Sequence, residues 1–244
     1  MLNDQWAGFL EVLEARHLAD LRFSDVTRAL RALSSAYVER RETALAGGAA
    51  LDGAGKRAAF ALYYGPIHFL LVQHIMRELA VTPGPGTVVD LGCGTGVAGA
   101  AVALATSPPR EVVGIDTHPW ALDEARFTYR SFGLRGETRR GHAAKTRFPS
   151  ATSFVVAAFV VNELNERDRS TLLGNVTGQR VLIVEPISRR ISPWWPEWEQ
   201  AFLAAGGRSD EWKFRIDPPP IVKRLARAAG LRPEVLTARS LTVT

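Results

Sequence analysis

The stretch from Val88 to Gly96, VVDLGCGTG, is the strongest indication of the fold of this 244-residue chain. It opens within a β-branched run, Thr87 to Leu91, which predicts a short and buried parallel strand. Its three glycines, Gly92, Gly94 and Gly96, stand at alternate positions, so the backbone can turn tightly and approach a ligand closely. The small apolar residues 97–105 then predict a helix that packs on a sheet. The stretch therefore predicts a strand, a ligand-binding loop and a helix in succession.

The spacing of these glycines narrows the kind of ligand. It is G-x-G-x-G and not the G-x-G-x-x-G of sites that seat a pyrophosphate, and the lysine of a nucleoside triphosphate loop is absent. A second signal follows at Val112 to Asp116, VVGID, where a strand ends in a carboxylate twenty residues after Gly96. In doubly wound folds an acid at this position accepts hydrogen bonds from ribose hydroxyls. Together the two signals indicate a ligand that carries a ribose.

The rest of the chain alternates between strand and helix patterns. Strands are predicted at 111–115, 153–160, 180–184 and 235–243, and helices at 120–132, 167–173, 198–204 and 221–229. This alternation predicts an α/β fold with a doubly wound, parallel, Rossmann-like sheet.

The first eighty residues have helical periodicity instead. We expect four helices, of which the third lies near 56–64, is ended by Gly65-Pro66, and is followed by a fourth at 67–79. The turn-rich segment VTPGPG, 81–86, predicts a domain boundary. The expected domains are an N-terminal helical domain, 1–82, that caps or recognises a substrate, and a cofactor-binding domain, 83–244.

The composition is that of an ordinary globular protein, with 46% hydrophobic and 23% charged residues. It excludes disordered and collagen-like chains. No apolar run reaches the length of a transmembrane helix, and the start of the chain lacks a signal pattern, so we expect a cytoplasmic protein without a membrane partner. Cys93 is the single cysteine, which excludes an intramolecular disulfide and a cysteine-rich metal site. No metal is expected.

The net charge of +5 is unevenly distributed. Residues 126–147 hold seven basic groups against one acidic group, and residues 187–244 hold ten against six. This distribution is compatible with a nucleic-acid partner, and a solvated basic face is the alternative.

At DLGCGTG and Asp116 the chain resembles the class I S-adenosylmethionine-dependent methyltransferases, over roughly residues 84–190. The resemblance implies S-adenosyl-L-methionine as the cofactor. It implies that the three glycines line the amino-acid end of the cofactor, that Asp90 positions the loop or meets the ammonium, and that Asp116 holds the ribose. Thr117 and His118 would lie near the adenine, and Cys93 is expected to be a small packed residue of the loop and not a nucleophile.

One feature of that family is missing. Its members often have an acid after the third strand that binds the adenine amine, whereas this chain reads Gly141-His142-Ala143, so the contact is absent or His142 supplies it. The expected cofactor-site residues are Asp90, Gly92, Cys93, Gly94, Gly96, Asp116, Thr117, His118, His142 and Phe159.

Catalytic groups are expected after the fourth strand, in Ala157 to Leu164, AAFVVNEL. Asn162 and Glu163 can hydrogen-bond an exocyclic amine or act as a base. Alternatively, Asn162 caps the next helix and Glu163 is solvated. The Asn/Asp-Pro-Pro-aromatic signature is absent. Cytosine C5 methylation is also disfavoured, because the single cysteine lies in the cofactor loop.

A closer resemblance covers 157–173, AAFVVNELNERDRSTLL, and 181–186, VLIVEP. These runs are similar to the ribosome-associated methyltransferase family typified by a mitochondrial small-subunit assembly protein. The resemblance implies a link to small-subunit ribosomal RNA. Some members carry a cysteine-bound iron–sulfur cluster, for which this chain lacks the cysteines.

The segment 187–198, ISRRISPWWPEW, combines arginines with tryptophans, a mixture that suits phosphate contact and base stacking. The alternative is a hydrophobic lid that packs on the N-terminal helices. The candidate substrate residues are Tyr64, Arg189, Arg190, Trp194 and Trp195.

The sequence therefore predicts a methyltransferase that acts on RNA, with ribosomal RNA or the small ribosomal subunit favoured. A methyltransferase of a small-molecule acceptor and a non-catalytic ribosome assembly factor that keeps the fold are the alternatives.

Overall fold

The structure, a computed structural model, describes residues 2–39, 51–148, 152–188 and 191–244. By compactness the chain divides into two units. The first consists of Met1–His68 with Phe214–Leu236, and the second of Phe69–Lys213 with Thr237–Thr244. The domain boundary that the sequence suggested between residues 82 and 83, and the role given to residues 1–82, stay predictions.

The first unit is helical. Arg224 on its last helix pairs with Glu14 on its first, at 2.7 Å, and Leu30 and Leu225 are fully buried. Burial of side chains of this size contributes about 1.5–3 kcal/mol each. Its elements are α1 (Leu2–Leu18), α2 (Phe23–Glu39), α3 (Ala54–Ala59), a π-helical segment (Phe60–Tyr64), the first turn of α4 (Gly65–Glu78) and α9 (Pro220–Ala229).

The prediction that Gly65-Pro66 ends the third helix is wrong. The backbone N–H of Gly65 donates to the carbonyl oxygen of Phe60, five residues earlier, and the helix continues as α4. Pro66 has no N–H, so it cannot make the α-helical hydrogen bond to the carbonyl oxygen four residues earlier. The wider π-helical hydrogen-bond pattern occurs at this place in the helix.

The second unit contains a sheet of seven strands in the order β3-β2-β1-β4-β5-β7-β6. The predicted doubly wound α/β fold is confirmed, with one correction: β7 runs antiparallel to β5, so the sheet is mixed. The strands are β1 (Thr87–Leu91), β2 (Glu111–Asp116), β3 (Gly136–Arg140), β4 (Thr152–Ala158), β5 (Val181–Glu185), β6 (Arg208–Arg215) and β7 (Val235–Val243).

Besides the rest of α4, from Phe69 onward, this sheet unit contains α5 (Val97–Ala103), α6 (Pro119–Ser131), α7 (Glu166–Val176) and α8 (Trp195–Ala204). Helix α5 packs on β1, β2 and β4, and α6 packs on β2 and β3. Every residue of β5 is buried, as expected for a strand in the middle of a doubly covered sheet. Within the part of the chain that the structure describes, none of the helices combines the length and apolar character that a bilayer crossing requires.

The strand order positions the site. The direction of chain progression reverses between β1 and β4, which are neighbours in the sheet. In open α/β sheets, ligands bind at this reversal, beyond the carboxyl ends of the strands. The loops that follow β1, β2 and β4 therefore meet at the expected binding edge.

Candidate functional site

The loop after β1 depends on its glycines. Gly92, Gly94 and Gly96 have φ angles of +60°, +51° and +76°, in the left-handed region that favours glycine. A Cβ atom at Gly92 would lie 2.4 Å from Cγ2 of Val160. The loop after β1 thus packs directly against the segment after β4, and a larger residue at Gly92 would push the two apart.

Asp90 lies at the base of this loop and is only 1% exposed. Its Oδ2 accepts a hydrogen bond from the N–H of Gly99, at 2.9 Å, in the first turn of α5. Burial raises the pKa of Asp90 to about 7, and the charge of Asp116 acts in the same direction. Asp90 therefore anchors the helix that follows the loop, and its expected roles, to position the loop or to meet the ammonium, stay predictions.

The carboxylate of Asp116, at the end of β2, holds two backbone groups. Its Oδ2 accepts from the N–H of Gly94 at 3.0 Å, and its Oδ1 accepts from the N–H of His118 at 2.8 Å. A carboxylate has about four acceptor positions, so Asp116 keeps capacity for ribose hydroxyls. Thr117 beside it is exposed, and Nδ1 of His118 accepts from the N–H of Trp120 at 3.2 Å to cap α6.

His142 follows β3 and is linked to the same region by the backbone. The N–H of its neighbour Gly141 donates to the carbonyl oxygen of Asp116 at 3.0 Å. The Nε2 atom of His142 lies 3.6 Å from Oδ2 of Asp168. Its Nδ1 is buried without a hydrogen-bond partner in the described part of the chain. A buried nitrogen without a partner is costly, and a ligand that bonds it would remove that cost.

Cys93 is a packed residue of the loop. It is 5% exposed, and its N–H donates to the carbonyl oxygen of Ile115 at 3.0 Å. Burial raises the pKa of its thiol well above the ordinary value. The thiol is therefore protonated near neutral pH, as suits a packing residue and not a nucleophile.

The segment after β4 begins with a strained residue. Phe159 has a φ angle of +62°, which is rare for a residue with a Cβ, and its N–H donates to the carbonyl oxygen of Val184 at 2.8 Å. Such strain tends to concentrate at functional sites. A turn of 3₁₀ helix, Val161–Glu163, follows and carries both candidate catalytic residues.

Asn162 has three side-chain hydrogen bonds. Its Nδ2 donates to Oε2 of Glu185 at 2.6 Å, and its Oδ1 accepts from Oγ of Ser192 at 2.8 Å and from Nε1 of Trp194 at 2.9 Å. The alternative in which Asn162 caps the next helix is wrong, because Asn165 caps α7.

Glu163, by contrast, has an exposed side chain. The surrounding protein disfavours its charged form and raises its pKa, and the charge of Asp116 raises it further. Contact with solvent moderates both effects. The charge of Asp116 thus raises the pKa of both Glu163 and Asp90. A ligand with positive charge would relieve this repulsion.

The candidate substrate residues lie in different surroundings. Tyr64 belongs to the first unit, where its ring lies 5.1 Å from that of Tyr63. Arg189 and Arg190 lie outside the described residues. Trp194 and Trp195 are 8% and 5% exposed and form part of the hydrophobic core of the sheet unit. Their burial corrects the expectation that they present stacking faces to a base, since little ring surface is accessible.

No role was assigned from the sequence to Glu185, which also belongs to the site. Glu185 ends β5, is fully buried, and its Oε1 accepts from the N–H of Val161 at 2.7 Å. Burial raises its pKa to about 8. Its signal in the sequence is a carboxylate at the end of an otherwise wholly apolar strand, VLIVE, since a buried acid requires partners.

Comparisons with known proteins agree with this geometry. A family model described as a methyltransferase domain matches residues 88–180. The ribosomal RNA large subunit methyltransferase G of Streptomyces avermitilis is 46% identical over 59 residues, which are 24% of this chain and 15% of that protein. This chain thus aligns with only a small part of that relative. A crystal structure of a candidate O-methyltransferase from Nostoc punctiforme has a TM-score of 0.57 and 18% identity, and the match covers 90% of this chain and 69% of that one.

The structural likeness shows a shared fold, and residues 88–180 match a methyltransferase-domain family model. That domain implies S-adenosyl-L-methionine as the cofactor, in agreement with the sequence analysis. The matched range contains the glycine loop, Asp116 and the turn Val161–Glu163.

Proposed function

We propose that this chain is an S-adenosylmethionine-dependent methyltransferase whose acceptor is RNA, with ribosomal RNA favoured. The observation that carries the methyltransferase activity is the bond between Asp116 and the N–H of Gly94, which assembles the glycine loop and the ribose-binding acid within the matched domain. S-adenosyl-L-methionine supplies an electrophilic methyl group on a positively charged sulfur.

The residues present fit this cofactor. Its sulfonium and ammonium groups are positive, and Asp116 repels the charged forms of both Asp90 and Glu163, a repulsion that a bound cation would relieve. Asp116 would hold the ribose with its remaining acceptor positions. The partnerless Nδ1 of His142 would take a polar group of the adenine. The glycine loop, with Cys93 packed inside it, would line the amino-acid end. The edge of the cofactor site would be completed by Thr117, His118 and Phe159.

Methyl transfer asks little of the protein beyond alignment of the acceptor and removal of its proton. Glu163 is exposed and follows the reversal point of the sheet, so its carboxylate can accept a proton from an acceptor nitrogen or oxygen. A pKa raised toward neutrality favours this role, because a base works best when its pKa is near the working pH.

Three observations support an RNA acceptor. The first is the 59-residue similarity to a ribosomal RNA methyltransferase. The second is the resemblance of 157–173 and 181–186 to the ribosome-associated family. The third is the basic edge of the sheet, where Arg140, Lys145 and Arg147 are exposed on and after β3. Such groups suit a phosphate backbone.

A small-molecule acceptor is the second candidate, because a cavity of about 420 Å³ lies in the sheet unit. Trp195 and Arg239 are among its lining residues, and cavities of this size hold small ligands. A non-catalytic assembly factor is the third candidate, and the methyl-transfer experiment described next distinguishes it from the other two.

The test is methyl transfer from radiolabelled S-adenosyl-L-methionine to small subunits, large subunits, free ribosomal RNA and a metabolite extract, each assayed separately. We expect ribonuclease-sensitive label in ribosomal RNA, lost in the Asp116→Ala variant. Label confined to the metabolite extract would replace RNA with a small-molecule acceptor. Cofactor binding without transfer to any fraction would favour the assembly factor.

A further inference from the structure

Glu185 and Asn162 form a buried link between the end of β5 and the turn Val161–Glu163. We propose that Glu185 is a positioning residue, and that it acts through Asn162 and the Val161 N–H to fix the direction in which Glu163 faces the methyl acceptor. This inference rests on the function proposed above. It also changes the role expected for Asn162, from contact with the acceptor to support of the turn.

The first argument is that Glu185 holds two consecutive residues at once. Its Oε1 accepts from the N–H of Val161 at 2.7 Å, and its Oε2 accepts from Nδ2 of Asn162 at 2.6 Å. One rigid carboxylate thus fixes both the backbone and a side chain of the turn. Glu163 is the next residue, so its direction depends on both bonds.

The second argument is that the amide of Asn162 has only one permitted orientation. Its Oδ1 accepts from Nε1 of Trp194 and from Oγ of Ser192. An indole N–H can only donate, so the oxygen must face Trp194 and the Nδ2 must face Glu185. The side chain of Asn162 therefore has its oxygen and one N–H committed to protein partners.

The third argument concerns the charge of Glu185. The residue opposite it on β7 is Arg239, which is 4% exposed and lies with its guanidinium 4.0 Å from the centroid of the Trp195 ring. Both oxygens of Glu185 accept hydrogen bonds, and the positive charge of Arg239 favours the ionised form, while burial opposes it and raises the pKa to about 8. A buried carboxyl group contributes little net stability compared with apolar packing, so a positioning role accounts for Glu185 better than a stabilising one.

The hydrogen bond between Glu185 and Asn162 can be broken by one substitution and restored by a second that exchanges donor and acceptor. In Glu185→Gln, the single side-chain oxygen can accept from Val161, and its NH₂ group then faces the NH₂ group of Asn162. The double variant Glu185→Gln/Asn162→Asp restores every bond, because the new carboxylate accepts from the glutamine amide, Ser192 and Trp194. Hydrogen exchange at the Val161 N–H measures the loss and recovery of these bonds, and it requires no methyl acceptor.

We expect rapid exchange at Val161 in Glu185→Gln and slow exchange in both the wild type and the double variant. We also expect kcat to fall by up to about 100-fold in the single variant with the KM for the cofactor little changed, as for a misplaced reacting group, and to recover in the double variant. The matched control is Glu124→Gln, which alters another fully buried carboxylate, on α6, and should leave exchange at Val161 unchanged.

Several results would overturn the inference. Wild-type exchange and kcat in Glu185→Gln would show that the link does not hold the turn. Restored exchange without restored kcat in the double variant would mean that Asn162 itself meets the acceptor. If Glu185→Gln does not fold, Ser192→Ala, which removes one donor to Asn162, must lower kcat for the inference to stand. An inactive wild type would instead reject the proposed function, while the exchange experiment would still test the link.

Discussion

The carboxylate of Asp116 accepts a hydrogen bond from the backbone N–H of Gly94 at 3.0 Å, and this bond joins the ends of two neighbouring strands. The residue expected to hold a ribose therefore also fixes the middle of the glycine loop. A ligand that enters this site meets groups already in place, which lowers the entropy cost of binding. Loop order and cofactor affinity should consequently respond together to changes at this point.

The substitution Gly92→Ala tests the contact between the glycine loop and the segment after β4. We expect it to lower both the free energy of unfolding and the affinity for S-adenosyl-L-methionine, because the new Cβ would lie 2.4 Å from Cγ2 of Val160. Gly133→Ala is a matched control, since Gly133 has a similar φ of +65° but no atom near its Cβ position.

Urea titration and calorimetry of cofactor binding separate the two effects. The control should lose about 1–2 kcal/mol of stability, the ordinary cost of a left-handed residue with a Cβ, and keep its affinity. Equal losses in both variants would mean that the contact with Val160 has no consequence.

The stability of the protein should fall between about pH 6.5 and pH 8. Burial raises the pKa of Asp90 to about 7 and that of Glu185 to about 8. In this window the folded state still binds protons that the unfolded chain has released, so raising the pH favours unfolding, by at most about 1.4 kcal/mol per pH unit for each group. His68, whose pKa burial lowers to about 4, contributes the opposite slope mainly below its ordinary value of 6.5.

Chemical denaturation at several pH values measures this slope. Glu185→Gln should reduce the pH dependence of stability up to pH 8, and Asp90→Asn should reduce it mainly near and below pH 7. A wild-type stability that rises with pH across this window would contradict the assignment of raised pKa values to these acids.

Glu163 should make cofactor binding depend on pH. Its pKa is raised by the surrounding protein and by Asp116, so raising the pH through neutrality converts it to the charged form. S-adenosyl-L-methionine carries a sulfonium charge that S-adenosylhomocysteine lacks. The ratio of their affinities should therefore shift toward S-adenosyl-L-methionine as pH rises from 6 to 8.5, as measured by calorimetry.

The Glu163→Gln variant provides the control for this experiment. It should lose much of the pH dependence of the ratio while it still binds S-adenosylhomocysteine. A ratio that changes with pH equally in the variant and the wild type would assign the effect to another group.

The centre of the sheet and the position of the glycine loop could be predicted from the sequence because their signals are local. Strands β1, β2 and β5 are apolar runs, and the glycines and Asp116 follow strand ends directly. Strand β6 was missed and β3 was implied only by the family resemblance, since RSDEWKFR and GETRR are largely polar and follow no simple apolar pattern. Residues 214–236 belong to the helical unit through contacts with α2, which no local pattern records.

The hydrogen bonds that hold the turn Val161–Glu163 could not be predicted from local sequence patterns, for a similar reason. Asn162 and Glu185 are 23 residues apart, and they meet only because β4 and β5 pair side by side. The tryptophans of 194–198 illustrate the opposite difficulty. Aromatic and basic residues suggest stacking when they are read along the chain, whereas packing in the core decides where Trp194 and Trp195 lie.

The decisive measurement for a cofactor site at Asp116 is calorimetry of S-adenosyl-L-methionine binding to the wild type, Asp116→Ala and Asp123→Ala. Asp123 is an exposed acid of α6 that pairs with Arg126, so it controls for loss of charge. We predict saturable binding to the wild type and to Asp123→Ala, and about 10- to 100-fold weaker binding to Asp116→Ala, as expected for lost hydrogen bonds to a charged acceptor. Absence of saturable binding to the wild type, or equal affinity in Asp116→Ala, would contradict the account.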